Sequence, residues 1–481
     1  MTKLRAYELF AFAPVRRRKG GIEGQSSFLK MVGVVLVFCA AAAIASSQTV
    51  TTLATFDITN GADPVTGLVQ GTDGNFYGTT QAGGASGNCT NGCGTVFKIT
   101  AAGTLTTLHS FEGTDGSGSE GGLVLGSDGN FYGTTYAGGT NGDGTVFKIT
   151  PAGTLTTLHT FGGSDGRNPA SSLVQATNGY FYGTTNFGGA SDEGTVFKIN
   201  AAGTLTALHS FDQTDGFIPN GGLVQATNGN FYGTTTYGGA NNYGTVFKIT
   251  NAGALTSLHS FDDTDGAYPL GGLVQGADGN FYGTTNFGGT GTNCQTSCGT
   301  VFKITAGGTL TTLYNFNTSQ GPYGPYGGLV PGTDGNFYGT TQANMVFQIT
   351  PVGVLTPLFT FNYVDGFEPL DALVQGTNGN FYGTTYQGAS GYGTVFSLSM
   401  GLGPFVETKP ALGKVGAKVT LLGNNLNGST AVTFNGIPAV FKIVSNSEIT
   451  TTVPSGATTG KVQVTTPKKT LKSNVVFRVA P

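Results

Sequence analysis

Eight residues, Asp73-Gly-Asn-Phe-Tyr-Gly-Thr-Thr80, recur six more times along the chain with small changes. Their Phe falls at Phe76, Phe131, Phe181, Phe231, Phe281, Phe337 and Phe381, at spacings of 55, 50, 50, 50, 56 and 44 residues. Self-similarity at this period marks a repeat architecture, and it governs the reading of everything else in the chain.

One repeat, residues 104–149, divides into four stretches: 104–111, 122–125, 130–135 and 144–149. Each is short, rich in β-branched and aromatic residues, and bounded by Gly, Asp, Asn or Pro, which is the pattern of a β-strand. No window keeps a helical period. Four strands in about 50 residues describe a propeller blade. The ends of the array predict closure. A lone copy of the Thr-Leu-Thr-Thr-Leu strand stands at 50–56, before the first full unit, and a lone Gly-Thr-Val-Phe strand stands at 393–398, after the last. The first can complete the last blade and hide two sheet edges. The expected fold is all-β, a seven-bladed β-propeller over residues 49–399.

Composition enters at the termini. Residues 1–45 read as a signal peptide. Arg16, Arg17, Arg18 and Lys19 supply basic charge, 31–44 an apolar core, and Ala43-Ile44-Ala45 a small-residue cleavage site. The core is too short to favour a membrane span, and no second hydrophobic segment follows, so no span is expected once the signal is removed. Residues 46–400 then carry 6 basic and 21 acidic residues, net −15; residues 401–481 carry 9 and 2, net +7. An acidic body is a poor partner for nucleic acid. The opposite signs could help the two parts dock, although surface pairs contribute little. Cys89/Cys93 and Cys294/Cys298 each bracket three residues within a loop insertion. In an exported protein these read as two local disulfides. A shared metal site would need the two pairs adjacent, and they lie four repeats apart, so no metal is expected.

The whole unit, Asp-Gly-Asn-Phe-Tyr-Gly-Thr-Thr followed by Gly-Gly, Gly-Thr-Val-Phe-Lys-Ile-Thr and Gly-Thr-Leu-Thr-Thr-Leu-His-Ser-Phe, resembles the bacterial GloVer tandem repeat. That resemblance implies an exported protein and brings no established activity. After a linker at 400–404, residues 405–480 contain alternating strands at roughly ten-residue spacing, the pattern of a small β-sandwich. Gly423-Asn-Asn-Leu426 and Phe434-Asn-Gly-Ile-Pro-Ala439 resemble an IPT/TIG domain, which implies an immunoglobulin-like fold used as a spacer or interaction module.

Candidate chemistry is sparse. His109, His159, His209 and His259 occupy one phase of one strand, where Ala54, Tyr314 and Phe359 stand in other units. A position that accepts Ala or Phe is a packing position, and none of these His is expected to be a catalytic base. Asp73 alternates with Asn178, Asn228 and Asn378 in other copies, so charge is not required. Both residues suit a two-residue hairpin turn before Gly.

A second acidic series is Asp115, Asp165, Asp215, Asp265 and Asp365, in the connections between blades. The loop between the second and third strands opens on the same face and carries Tyr136, Phe187, Tyr237, Phe287 and Tyr386. Variable loops on a rigid scaffold are where function concentrates. Aromatic faces beside Asp suit a sugar, which stacks its C–H face and bonds through its hydroxyls; the same aromatics could simply cover the loops. These ten residues are the expected ligand contacts. No catalytic residue, cofactor or nucleotide motif is expected.

The chain therefore reads as a monomeric, secreted or envelope-held, non-enzymatic protein. It would bind an extracellular glycan or protein on its loop-rich face, or serve as a structural component. The alternative is a glycan-cleaving hydrolase or lyase. That would need two carboxylates across the bore, for which Asp192/Glu193 and Glu368/Asp371 are the non-repeated candidates.

Overall fold

A computed structural model describes residues 48–481 except 292–297, 319–322, 389 and 481. The expected signal peptide therefore lies outside the described residues. Seven four-stranded antiparallel sheets follow one another along the chain. Blade 1 is typical. Its strands, from inside out, are Val69–Gln70, Phe76–Thr80, Thr95–Ile99 and Leu105–Ser110. Blades 2 to 6 repeat this order.

Blade 7 is built from both ends. Its three inner strands are Val374–Gln375, Phe381–Thr385 and Thr394–Ser399. Its outer strand is Thr49–Thr55, antiparallel to the third, with Thr49 opposite Ser399 and Thr55 opposite Thr394. The expected closure is present.

Each element of the repeated motif has a place. The Phe and Tyr of Phe-Tyr-Gly are buried in every blade. Each Tyr lies against the Phe of the next blade, as in Tyr77–Phe131 and Tyr232–Phe281, with centroids 4.0 Å apart in both pairs. The seventh pair, Tyr382–Phe76, closes the ring at the same 4.0 Å. A second ring of edge-to-face pairs joins the end of each outer strand to the third strand of the next blade, as in Phe111–Phe147 at 5.3 Å, and closes with Phe56–Phe97 at 5.2 Å. Aromatic pairs of these geometries add about 0.5–1.5 kcal/mol each beyond the area they bury. The Gly between Tyr and Thr leaves room for the third strand: a Cβ on Gly78 would lie 2.6 Å from the Phe97 ring.

The turn reading needs a correction. The connection is five residues, 71–75, rather than two. Gly74 N–H donates to Gly71 O and Gly71 N–H to Asn75 O, at 3.0 and 2.9 Å. The residue with positive φ is Gly74 (81°), not Asp73. Asp73 is chosen by its side chain. Its Oδ1 accepts from Asn75 N–H at 3.1 Å and its Oδ2 from the Tyr77 hydroxyl at 2.8 Å. Where Asn replaces Asp the bond reverses, so that Asn178 Nδ2 donates to the Tyr182 hydroxyl at 2.9 Å. A phenol can donate or accept, which explains why the two residues interchange.

This arrangement sets a pH dependence. Burial raises the Asp128 and Asp278 carboxyls, but bonds from Asn130 and Tyr132, and from Asn280 and Tyr282, outweigh it and hold both below the ordinary carboxylate range. A depressed carboxyl contributes stability above its unfolded pKa and loses it as pH falls through its folded pKa. The double substitution Asp128→Asn/Asp278→Asn reproduces what blades 3, 4 and 7 already use. Its stability at pH 7 is expected to match the parent within about 0.5 kcal/mol. Below the carboxylate range the variant is expected to melt at the higher temperature, as thermal unfolding followed from pH 7 to pH 2 would reveal.

After the propeller, two sheets pack face to face. One orders Glu407–Lys409, Lys418–Leu422, Glu448–Thr452 and Phe441–Ile443; the other orders Ile437–Pro438, Ala431–Phe434, Val462–Thr465 and Thr470–Lys472. Val419, Leu421, Val432, Phe434, Ile449 and Phe477 fill the space between them. No disulfide is needed to hold this core.

The sandwich sits on the face of the propeller that carries the short 71–75-type turns. Ser447 Oγ donates to Thr72 O at 2.6 Å, Asn424 Nδ2 to Thr377 Oγ1 at 2.7 Å, and Leu422 enters the apolar cluster between blades 1 and 2. These contacts are neutral. The opposite net charges of the two parts make no ion pair between them among the described residues.

Candidate functional site

The face opposite the sandwich carries the long loops. In each blade the loop after the second strand meets the connection entering that blade. Isolated bridges such as Ser117–Ala137, Arg167–Phe187, Phe217–Tyr237 and Ala267–Phe287 record the contact. Acids and aromatics from both sets of loops therefore share one rim.

The structure joins two series that the sequence treats apart. His109 Nε2 meets Asp115 Oδ2 at 2.7 Å, and Asp115 Oδ1 accepts Glu112 N–H at 2.7 Å. His159/Asp165, His209/Asp215 and His259/Asp265 repeat the latch at 2.7–2.8 Å. The His packs as expected, edge-on to Phe111 at 5.3 Å, and it also ties the inter-blade turn. In blade 6 Phe359 replaces His, and Asp365 accepts from Asn362 Nδ2 at 2.6 Å instead. A ligand at any of these carboxylates would have to displace internal partners.

The five loop aromatics occupy two registers. Tyr136 and Tyr386 stand one residue nearer their strands than Phe187, Tyr237 and Phe287. Burial raises the Tyr136 hydroxyl, with Glu120 adding to it and Arg167 opposing; burial also raises Tyr386, with Asp63 and Glu368 adding. Phe187 is covered. The Arg167 guanidinium lies 5.0 Å from its ring centroid and is fixed by Asp192, with Nη2–Oδ2 at 2.6 Å and Nε–Oδ1 at 3.0 Å.

Tyr237 and Phe287 belong to a continuous row across blades 4 and 5. Phe217 stacks on Tyr237 at 5.2 Å, Tyr237 meets Tyr268 at 5.1 Å, and Tyr268 meets both Tyr243 at 5.9 Å and Phe287 at 6.0 Å. All five rings are half-buried. Tyr243 escaped the sequence reading because its position is not aromatic in other units. So did Tyr363 and Tyr392, exposed at 54% and 38% on the same face.

Inside the rim the seven inner strands converge on an axial channel, with a cavity of about 80 Å³ at the loop end. Two acids line it. Asp371, one of the non-repeated candidates, accepts Ala372 N–H at 2.6 Å through Oδ1 and Gly67 N–H through Oδ2. Glu120 accepts from Gln81 Nε2 at 2.6 Å. Burial raises both carboxyls. It also raises the Tyr326 hydroxyl, which feels both carboxylates. Glu120 was legible in principle, since Val65, Ala170, Asn220, Leu270, Tyr326 and Leu370 hold its position in the other units. The cavity is well below the roughly 300 Å³ of an ordinary ligand pocket. No cluster of three His, Cys, Asp or Glu suited to a metal ion occurs among the described residues.

Cys89 and Cys93 form the expected disulfide. Cys294 lies outside the described residues, and Cys298 is buried.

The Gloeobacter/Verrucomicrobia repeat model matches residues 86–295 and 270–431, which together span well over half of the chain. The chain belongs to the Gloeobacter/Verrucomicrobia repeat family. An IPT/TIG domain model matches residues 407–479, the β-sandwich. No curated protein sequence matches the chain. Among solved structures, the WD40 propeller domain of Doa1 is similar, at 13% identity over 74% of this chain and 97% of that one, TM-score 0.49. A putative 6-phosphogluconolactonase from Bacteroides fragilis is similar at 18% identity over 65% and 88%, TM-score 0.44. PorZ, a surface component of the type-IX secretion system of Porphyromonas gingivalis, is similar at 15% identity over 85% and 58%, TM-score 0.44. Likeness at this level does not carry any activity to this member of the repeat family.

Proposed function

We propose that this repeat-family protein is an exported binding protein that takes a glycan on the loop-bearing face of its propeller. The observation that carries the reading is the aromatic row Phe217–Tyr237–Tyr268–Phe287, laid across two blades on rigid strands. Ring faces spaced in this way suit successive sugar units, each stacking its apolar face. Export is supported by the Cys89–Cys93 disulfide. Among the described residues no helix is long and apolar enough to cross a membrane.

The test is a glycan array probed with the purified chain. Tyr237→Ala or Tyr268→Ala is expected to weaken the best glycan at least about tenfold, roughly 1.4 kcal/mol. Phe187→Ala, already covered by Arg167, should leave it unchanged. A blank array together with a specific protein captured through the same tyrosines would replace the glycan by a protein ligand. Blanks in both would leave a structural envelope component.

The acidic channel favours a second reading, cleavage of a glycan whose end reaches Glu120 and Asp371. Any turnover would then vanish in Glu120→Gln while binding to the row persisted.

A further inference from the structure

A larger cavity, about 390 Å³, lies at the other end of the axial channel, between the inner strands of blades 3 to 6 and the sandwich. Its size falls within the ordinary range for small-molecule sites.

The propeller side of this face is normally sealed by a belt of glutamines at the end of each inner strand. Gln175 Oε1 accepts Ser127 N–H of the preceding blade at 2.8 Å, Gln225 accepts Thr177 N–H at 3.1 Å, and Gln70 accepts Thr377 N–H at 2.9 Å across the closure. The belt changes at the cavity. Gln275 Oε1 instead accepts from Arg478 of the sandwich, and Pro331 replaces the next Gln. Val174, Val224, Val274 and Val476 give the cavity apolar walls.

Two cations line it, Lys461 and Arg478. Neither makes an ion pair among the described residues. Lys461 Nζ donates to Ser473 O and Asn474 O at 3.0 and 2.6 Å, and Arg478 reaches only Gln275 Oε1 and Gly276 O. A guanidinium has five N–H donors and an ammonium three, so donors are left over. Burial lowers both groups, the cost of holding charge away from water without a counter-charge. Beside them Asn474 Oδ1, also in the lining residues, is buried with no hydrogen-bond partner.

We propose that this inter-domain cavity binds a small organic carboxylate with an apolar body, its carboxylate bridging Lys461 and Arg478 and its body against the valines. The site is independent of the loop-face reading, because it lies on the opposite face of the propeller. Holding such a ligand would make the sandwich part of a binding site rather than only a spacer.

The test uses 8-anilinonaphthalene-1-sulfonate, an apolar anion, titrated into the full chain by fluorescence, with the neutral N-phenyl-1-naphthylamine as its control. One site per chain is expected for the anion. 3-Phenylpropionate should displace it and 3-phenylpropanol should not. Arg478→Gln and Lys461→Gln are each expected to weaken the anion about tenfold and change the neutral dye little. Val224→Phe, which fills the cavity from the propeller wall and leaves both cations in place, should abolish binding even if Arg478→Gln loosens the sandwich. Near-ultraviolet circular dichroism reports whether each variant is folded. Equal binding of both dyes, no binding of the anion, or anion binding untouched by Lys461→Gln and Val224→Phe would each overturn the assignment.

Discussion

Deleting residues 49–56 is expected to abolish cooperative folding of the propeller, although it removes one edge strand of twenty-eight. The strand Thr49–Thr55 pairs along its whole length with Thr394–Ser399. Beside it, Phe56 is fully buried and meets Phe97 of blade 1, and Val50 and Leu53 pack beneath. Burying three large apolar side chains contributes about 5–9 kcal/mol at 1.5–3 kcal/mol each. That is comparable to the whole stability of an ordinary domain. The loss also exposes two sheet edges, which invite pairing with other chains. Thermal melting should lose its sharp transition, and size-exclusion chromatography should show association. A sharp melt within about 5 °C of the parent would mean that the ring does not depend on its clasp.

The second large effect is expected at the tyrosines of the inner ring. Tyr232 is among the largest fully buried side chains and lies flat against Phe281. Tyr232→Ala should cost about 3–5 kcal/mol, the usual range for aromatic truncation in a core. Tyr232→Phe keeps the ring and removes only the acceptor of Asn228 Nδ2, so it should cost about 1 kcal/mol. Denaturant melts of the two variants separate these terms. If Phe costs as much as Ala, the hydroxyl rather than the ring contact holds adjacent blades together.

The architecture was largely legible because every blade restates it. A position that is Phe or Tyr in seven of seven units can only be shared core, and the orphan strands at 50–56 and 393–398 announced their own pairing. What failed was any feature made by two residues of different series. His109 and Asp115 looked like a packing position and a ligand, and they are one latch. The Asp/Asn exchange looked like backbone tolerance in a short turn. It is a hydrogen bond to Tyr77 or Tyr182 that runs in either direction. The candidate site was only half legible. Asp371 stood out as an unrepeated acid; Glu120, in the same channel, did not, because its unit is otherwise so regular. The aromatic row depends on contacts such as Tyr237–Tyr268 between loops of adjacent blades, which spacing within one unit cannot reveal. The docking of the sandwich left no trace in charge, since its contacts are uncharged apart from Arg478.

The antiparallel clasp also has a mechanical consequence. Thr49 and Ser399 face each other, so both strands leave the sheet at the same end. A pull applied between the start of the propeller and its last strand would load one pair at a time, as a zipper opens, rather than the whole ladder in shear. Peeling of that kind needs far less force than shearing the same bonds. A force transmitted through the sandwich, however, meets the Ser447–Thr72 and Arg478–Gln275 contacts first. The docked sandwich would thus act as a strain relief, keeping tension at the far end of the chain away from the one seam where the ring can be unzipped.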